Sequence, residues 1–267
     1  MKVHLHKHPK VHRSQNLKRE TKAKTKYKFI EDFRNKEAGK EIWLLACGPS
    51  LDDFSDNFFD DKTTMAIKWT FVAFPKCTYN LASWSNRYLM ESIKKNYDHH
   101  DNFIINVRGH QLVPGWTEPI YMRVRGGRGK DIHDKSYYIE TRDHILAGEP
   151  FLYGNTNTCG HWAIQAAVIL GAKKITLVGF DHHSAKYFRH AVKRGMGKAY
   201  EEHNKHFGIP QEGILQPLSA QQGINPSCLD LRKGTQWLVE IFGQSGIEIR
   251  RYFYKTGYEE KLPWNTT

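Results

Sequence analysis

Three groups of side chains in this sequence have types and spacing suited to holding a phosphorylated ligand. The first closes the stretch GNTNTCGHWAIQAAVILGAKKITLVGFDHHS, residues 154–184. Asp181 follows Gly179 by two residues at the end of an apolar run, where an α/β sheet sets its ligand-contacting loops. The second is Cys47-Gly48-Pro49-Ser50-Leu51, a small-residue turn directly after the apolar run Ile42–Ala46, followed by Asp52 and Asp53. Such a turn brings backbone N–H groups towards an anion, and Ser50 adds a hydroxyl; a plain strand-to-helix turn has the same composition. The third is Arg123, Arg125, Arg128 and Lys130, set among Gly126, Gly127 and Gly129. It reads either as a cationic lid closing over a polyphosphate or acidic sugar, or as a surface insertion with solvated charges. His203 and His206 share a helical face, but no carboxylate completes a triad with them, so no metal site is assigned. Trp69 and Trp84 are placed either to stack on a base or to pack in a core.

These groups need elements to position them. Gly160 opens a helical run in which Ala163, Ile164, Ala167, Val168 and Leu170 form a wide apolar face, and Gly171 stands where a left-handed cap ends a helix. Ile175–Val178 is apolar enough for a strand buried on both faces of a parallel sheet. Ile42–Ala46, Thr64–Ile67, Tyr79–Ser83, Asn102–Val107 and Ile247–Tyr254 read as further strands. Tyr27–Lys40, Arg87–Tyr97 and Asp230–Phe242 read as helices, the first ending at Gly39. Residues 108–150 form the least regular stretch, and 208–227 is loop-like. The resulting fold class is α/β: a single Rossmann-like domain over residues 29–267, with a mostly parallel central sheet flanked by helices and a Gly/Arg-rich insertion at about 108–150.

Composition narrows the setting. The chain has 267 residues, 39% hydrophobic and 13% aromatic, which fits a globular protein with a real core. No apolar run reaches the length of about 18 residues needed for a membrane span, and no secretory signal is visible. Cys47, Cys77, Cys159 and Cys228 are scattered, which speaks against a disulfide scaffold or a zinc knuckle and for a cytoplasmic setting. The net charge of +12 is uneven: residues 1–28 carry eight Lys and two Arg against one Glu, leaving about +3 for the rest. This arm, with His4, His6, His8 and His12, is expected to be loosely attached. Its two readings are a grip on nucleic acid or another acidic surface, and a plain solvated extension.

The two blocks Ala46–Leu51 and Asn157–Asp181 resemble those of a known superfamily. It comprises the bacterial CMP-sialic-acid-using sialyltransferases with the Maf-type flagellin glycosyltransferases, and the 6-hydroxymethylpterin pyrophosphokinase type, with relatives in phage genomes. The sialyltransferase side of the resemblance implies metal-independent transfer, with inversion, from a CMP-sugar to a hydroxyl acceptor on a Rossmann-like sheet, with no cofactor required. It implies that Gly48, Pro49, Ser50, Asn157, Thr158, Cys159 and Gly160 hold nucleotide phosphate and base. Asp181 would contact ribose or sugar, and Tyr187 would stabilise the leaving phosphate. His183 and His206 are the candidates for the base that takes the acceptor proton, since imidazole titrates near neutrality. The chain departs from those enzymes after its second strand, where Lys68 stands in place of an Asn. The pterin side implies instead ATP and Mg²⁺, held by Asp181 with Asp52 or Asp53, and phosphate clamped by the Arg123–Arg128 loop. A third reading is a non-catalytic nucleotide- or nucleic-acid-binding protein working through its basic arm.

Overall fold

The apolar runs become the middle of one sheet. The computed structural model describes residues 27–55, 57–83, 90, 102–108, 112, 116–125, 135–147, 152–153, 159–180, 226–253 and 258–261. Its strands are β1 (Lys28–Phe29), β2 (Glu41–Leu45), β3 (Thr64–Ile67), β4 (Tyr79–Ser83), β5 (Phe103–Arg108), β6 (Ile120–Arg125), β7 (Leu152–Tyr153), β8 (Lys174–Val178), β9 (Glu248–Phe253) and β10 (Tyr258–Lys261). They form a ten-stranded sheet in the order β1-β6-β5-β4-β3-β2-β8-β9-β10, with β7 also on β6. The β9–β10 pairing is antiparallel and the other pairings are parallel. This is the mostly parallel α/β sheet expected from the sequence.

The strands are apolar on both faces because both faces are covered. Ile42, Leu44, Met65, Ile67 and Leu81 point to one face, and Trp43, Leu45, Ala66 and Ala82 to the other. On the first face lies α3 (Cys159–Ile169), packed over β2, β3 and β4 and covered in turn by α2 (Lys135–Leu146) and α4 (Pro226–Gly243). Every residue of α3 is buried, so the helix is enclosed on all sides and not merely amphipathic. The second face is closed by Leu51, Phe54 and Phe59, in and after a 3₁₀ turn (Pro49–Asp53), and by Trp69, Phe71 and Phe74, in and around α1 (Thr70–Ala73), with aromatic edge contacts such as Phe59 against Phe74 at 5.2 Å.

Backbone hydrogen bonds fix the direction in which α3 crosses the sheet. Its carboxyl end meets the amino edge of the sheet: Ile169 O and Leu170 O accept from Asn35 N and Glu37 N at 3.1 and 2.8 Å, and Lys173 N donates to Lys40 O, just before β2. Gly171 has φ +92, and a Cβ there would stand 2.8 Å from Asn35 Cα, so glycine is required both as cap and for the close approach. The amino end of α3 therefore faces the carboxyl edge of the sheet.

Three sequence expectations give way to the observed fold. Residues 27–40 do not form a helix; they give β1, a 3₁₀ turn (Ile30–Phe33) and a series of turns, with Asn35 at φ 60. Their N–H groups serve the carbonyls at the end of α3, which a helix of their own would forbid. The stretch 108–150 contains β6, a full member of the sheet, and α2. The last expected strand is followed by another, β10. Of the arm expected over 1–28, Lys28 already belongs to the sheet, opposite Ile120, and residues 1–26 lie outside the described residues. Among the described residues no helix is long and apolar enough to cross a membrane.

Candidate nucleotide site

Strands are added outward from β2 to β6 on one side and from β8 to β9 on the other. The order reverses between β2 and β8, which makes their carboxyl ends the crevice where open α/β sheets place ligands. The Ala46–Leu51 block and the described end of the second block, residues 174–180, meet there side by side, in register at Leu45 and Val178. Pairing continues past the strands: Ala46 N donates to Val178 O at 2.8 Å, and Gly48 N to Gly179 O at 3.0 Å. Gly179 has φ +71, and a Cβ on it would stand 2.4 Å from Ala46 O and 3.2 Å from Gly48 N. Only glycine permits both that conformation and that approach. The turn after β2 and the segment leading to Asp181 are thus pinned to one another by backbone.

The pinning commits one backbone donor of the turn. The Gly48 N–H is given to Gly179 O, and Pro49 has no N–H. Pro49 instead opens the 3₁₀ turn, with Leu51 N returning to Gly48 O at 3.0 Å. Ser50, Asp52 and Asp53 lie within that turn.

Around the crevice stand the ends of three further elements. Cys47 Sγ lies 3.3 Å from Ile67 O and 3.3 Å from Thr70 Oγ1, tying the turn to the end of β3 and the start of α1. Cys159 and Gly160 begin α3, and both are buried. Burial pushes both the Cys47 and the Cys159 thiol above the ordinary range, with the charge of Lys68 opposing the rise in each case. Lys68 directly follows Ile67, whose carbonyl oxygen Cys47 Sγ reaches, so it stands beside the Cys47 turn. It is exposed, directly follows β3, and has φ 54 with its N–H donating to Leu81 O at 2.9 Å. A left-handed conformation costs a residue with a Cβ about 1–2 kcal/mol, so the surrounding structure over-determines this one. On the β9 side, Arg251 Nη1 donates to Phe180 O at 3.4 Å. The amino end of α3 carries the positive pole of the helix to the same edge.

The remaining sequence candidates divide clearly. Arg123 lies in β6, paired with Glu31 at 2.6 Å and with its guanidinium 4.5 Å from the Phe29 ring. Arg125 is in the same strand, opposite Tyr153. Neither stands on a lid loop, and β6 is four strands from β2, about 19 Å at ordinary strand spacing. The alternation of apolar residues with Arg123 and Arg125 is that of a strand; the neighbouring glycines obscured it. Trp69 is buried and stacks on Phe71 at 6.3 Å, so it belongs to the core and not to a base platform. Asn157, Thr158, Asp181, His183, Tyr187, His206, Arg128, Trp84 and His203 lie outside the described residues. Sequence reasoning gave no role to Arg251 and noted Lys68 only as a departure; a lone charged residue between an apolar strand and an aromatic run was the available signal for Lys68.

No protein-family model matches the chain, and no curated protein matches it. Among solved structures it is similar to the sialyltransferase CstII from Campylobacter jejuni, in complex with a substrate analogue, cytidine-5'-monophosphate. The identity is 18%, the match covers 68% of this chain and 82% of that one, and the TM-score is 0.32.

Proposed function

We propose that the chain binds a nucleotide-sugar at the β2–β8 crevice and transfers the sugar to a hydroxyl acceptor. The observation that carries this reading is the Gly48 N–H to Gly179 O bond of 3.0 Å. It joins the two sequence blocks whose residues resemble the CMP-sugar-dependent transferases, at the switch point of a parallel sheet. The amino end of α3, with Cys159 and Gly160, supports the same reading, because helix N–H groups there favour an anion.

In the transfer, the acceptor oxygen forms a bond to the anomeric carbon as the bond from that carbon to the phosphate oxygen breaks. The electron pair of the broken bond leaves with the nucleotide, and the acceptor proton goes to a base, for which His183 and His206 are the candidates. Negative charge grows on the phosphate as the bond lengthens, so oriented donors at the crevice lower the barrier; one such donor is worth about 3 kcal/mol.

A thermal-shift panel of CMP, CMP-sugars, ATP and GTP, with and without Mg²⁺, tests the proposal. A cytidine-nucleotide shift that persists in EDTA is the expected result, and CMP release from a CMP-sugar donor should accompany it. A shift given only by ATP with Mg²⁺ would turn the assignment to pyrophosphoryl transfer. The absence of any nucleotide shift would end both enzymatic readings.

A further inference from the structure

We propose that Lys68 is the cation that binds the donor's phosphate and stabilises it as the nucleotide leaves. This rests on the nucleotide-sugar reading and adds to it the residue that supplies the charge.

Lys68 directly follows β3, the strand beside β2, and is exposed at the carboxyl edge of the sheet. Its neighbour Ile67 accepts from Cys47 Sγ at 3.3 Å, so Lys68 stands beside the turn that forms one wall of the crevice. Asn35 and Lys68 are the non-glycine residues with positive φ among the described residues. Asparagine tolerates the left-handed region through its short polar side chain; lysine has no such compensation. The chain nonetheless holds Lys68 there, through the 2.9 Å bond from its N–H to Leu81 O. Backbone strain fixed by the scaffold at the mouth of a crevice is the pattern of a residue held in place for use.

The Cys47 and Cys159 thiols are pushed up by burial, so both stay protonated at neutral pH, and neither becomes a thiolate competing with a phosphate. The positive pole of α3 points to the same edge of the sheet that Lys68 occupies, and helix termini and lysines commonly act together on an anion. Charge that grows on the leaving phosphate would grow against Lys68.

Isothermal titration of the full chain tests this, with the four nucleoside monophosphates, each compared with its own nucleoside. The wild type should bind at least one monophosphate about tenfold or more tightly than the nucleoside, a difference of about 1.4 kcal/mol. Lys68→Gln should bring the two within about twofold while leaving the nucleoside affinity in place. Lys68→Arg should keep most of the preference. Lys68→Gly, which removes the charge and relieves the backbone, should behave as Lys68→Gln does, which separates the charge from the fold. Added salt should weaken monophosphate binding to the wild type more than to Lys68→Gln. If the preference survives in Lys68→Gln, Lys68 is not the phosphate cation and the nucleotide pocket stands without it. If the wild type binds neither nucleosides nor monophosphates, this inference and the nucleotide-sugar reading fall together.

Discussion

Replacing Gly179 by alanine tests the geometry of the crevice directly. The Cβ of Gly179→Ala would stand 2.4 Å from Ala46 O, 3.0 Å from Ala46 C and 3.2 Å from Gly48 N. These are backbone atoms, so no side chain can swing aside, and the extension of the β2–β8 ladder must part. Two hydrogen bonds are at stake, Ala46 N to Val178 O and Gly48 N to Gly179 O. Each contributes about 0.5–1.5 kcal/mol. The positive φ adds about 1–2 kcal/mol against alanine, and the stiffer unfolded chain returns about 0.4–1 kcal/mol. The net loss is on the order of 2–4 kcal/mol, which for a chain of this size lowers Tm by roughly 5–15 °C. Gly39→Ala is the matched control: φ is +76, but nothing lies within 4 Å of its Cβ, so only the conformational cost applies. Differential scanning fluorimetry of both variants, with and without CMP, gives the comparison. Equal Tm losses in the two would show that β2 and β8 are not pinned beyond their strands and that no fixed crevice lies between them.

Two further perturbations probe the scaffold. Gln165 is fully buried in α3, and its Oε1 and Nε2 find no hydrogen-bond partner among the described residues. Gln165→Met keeps the shape and removes both polar atoms, so urea unfolding should show a gain of about 1–2 kcal/mol; a loss would mean that the amide is satisfied in solution. Burial pushes the Glu41 carboxyl up, but hydrogen bonds from Thr176 and Arg250 and the charges of Lys174 and Arg250 outweigh it and hold the group below its ordinary value. A folded pKa below the unfolded one gives stability that is present above the unfolded value of 4.5 and is lost as pH falls through the folded one. Glu41→Gln should therefore cost on the order of 2 kcal/mol at neutral pH and flatten the decline of stability from about pH 5 downward; an unchanged acid limb would refute the role of this cluster.

The middle of the sheet was legible because its strands are short apolar runs bounded by turn residues, and both-face burial leaves no alternation to misread. Thr64–Ile67 and Tyr79–Ser83 match their expected bounds, and Gly171 caps α3 as its position implied. What escaped the sequence depends on partners far along the chain. The turns of residues 34–39 are set by carbonyls of 169–171, which no local pattern announces. β6 was masked by nearby glycines, and β7 and β10 are too short to carry a period. At the site, the two blocks could be paired from their motifs, but not the use of the Gly48 N–H within the ladder. The same holds for the left-handed backbone of Lys68, a property of the strand ends around it.

The position of β2 also governs how the chain can be made. Glu41 bonds to Thr176, 135 residues later, and to Arg250, 209 residues later. During synthesis at about 5–20 residues per second, β2 emerges roughly 7–27 s before β8. For that interval β2 is an apolar edge strand whose groups facing β8 are unpaired, at the place that becomes the centre of the sheet. The crevice does not exist until β8, about two thirds of the way along the chain, arrives. Ribosome-bound chains stopped before residue 174 should therefore be recognised by holdase chaperones, and chains extended past β9 should be released from them.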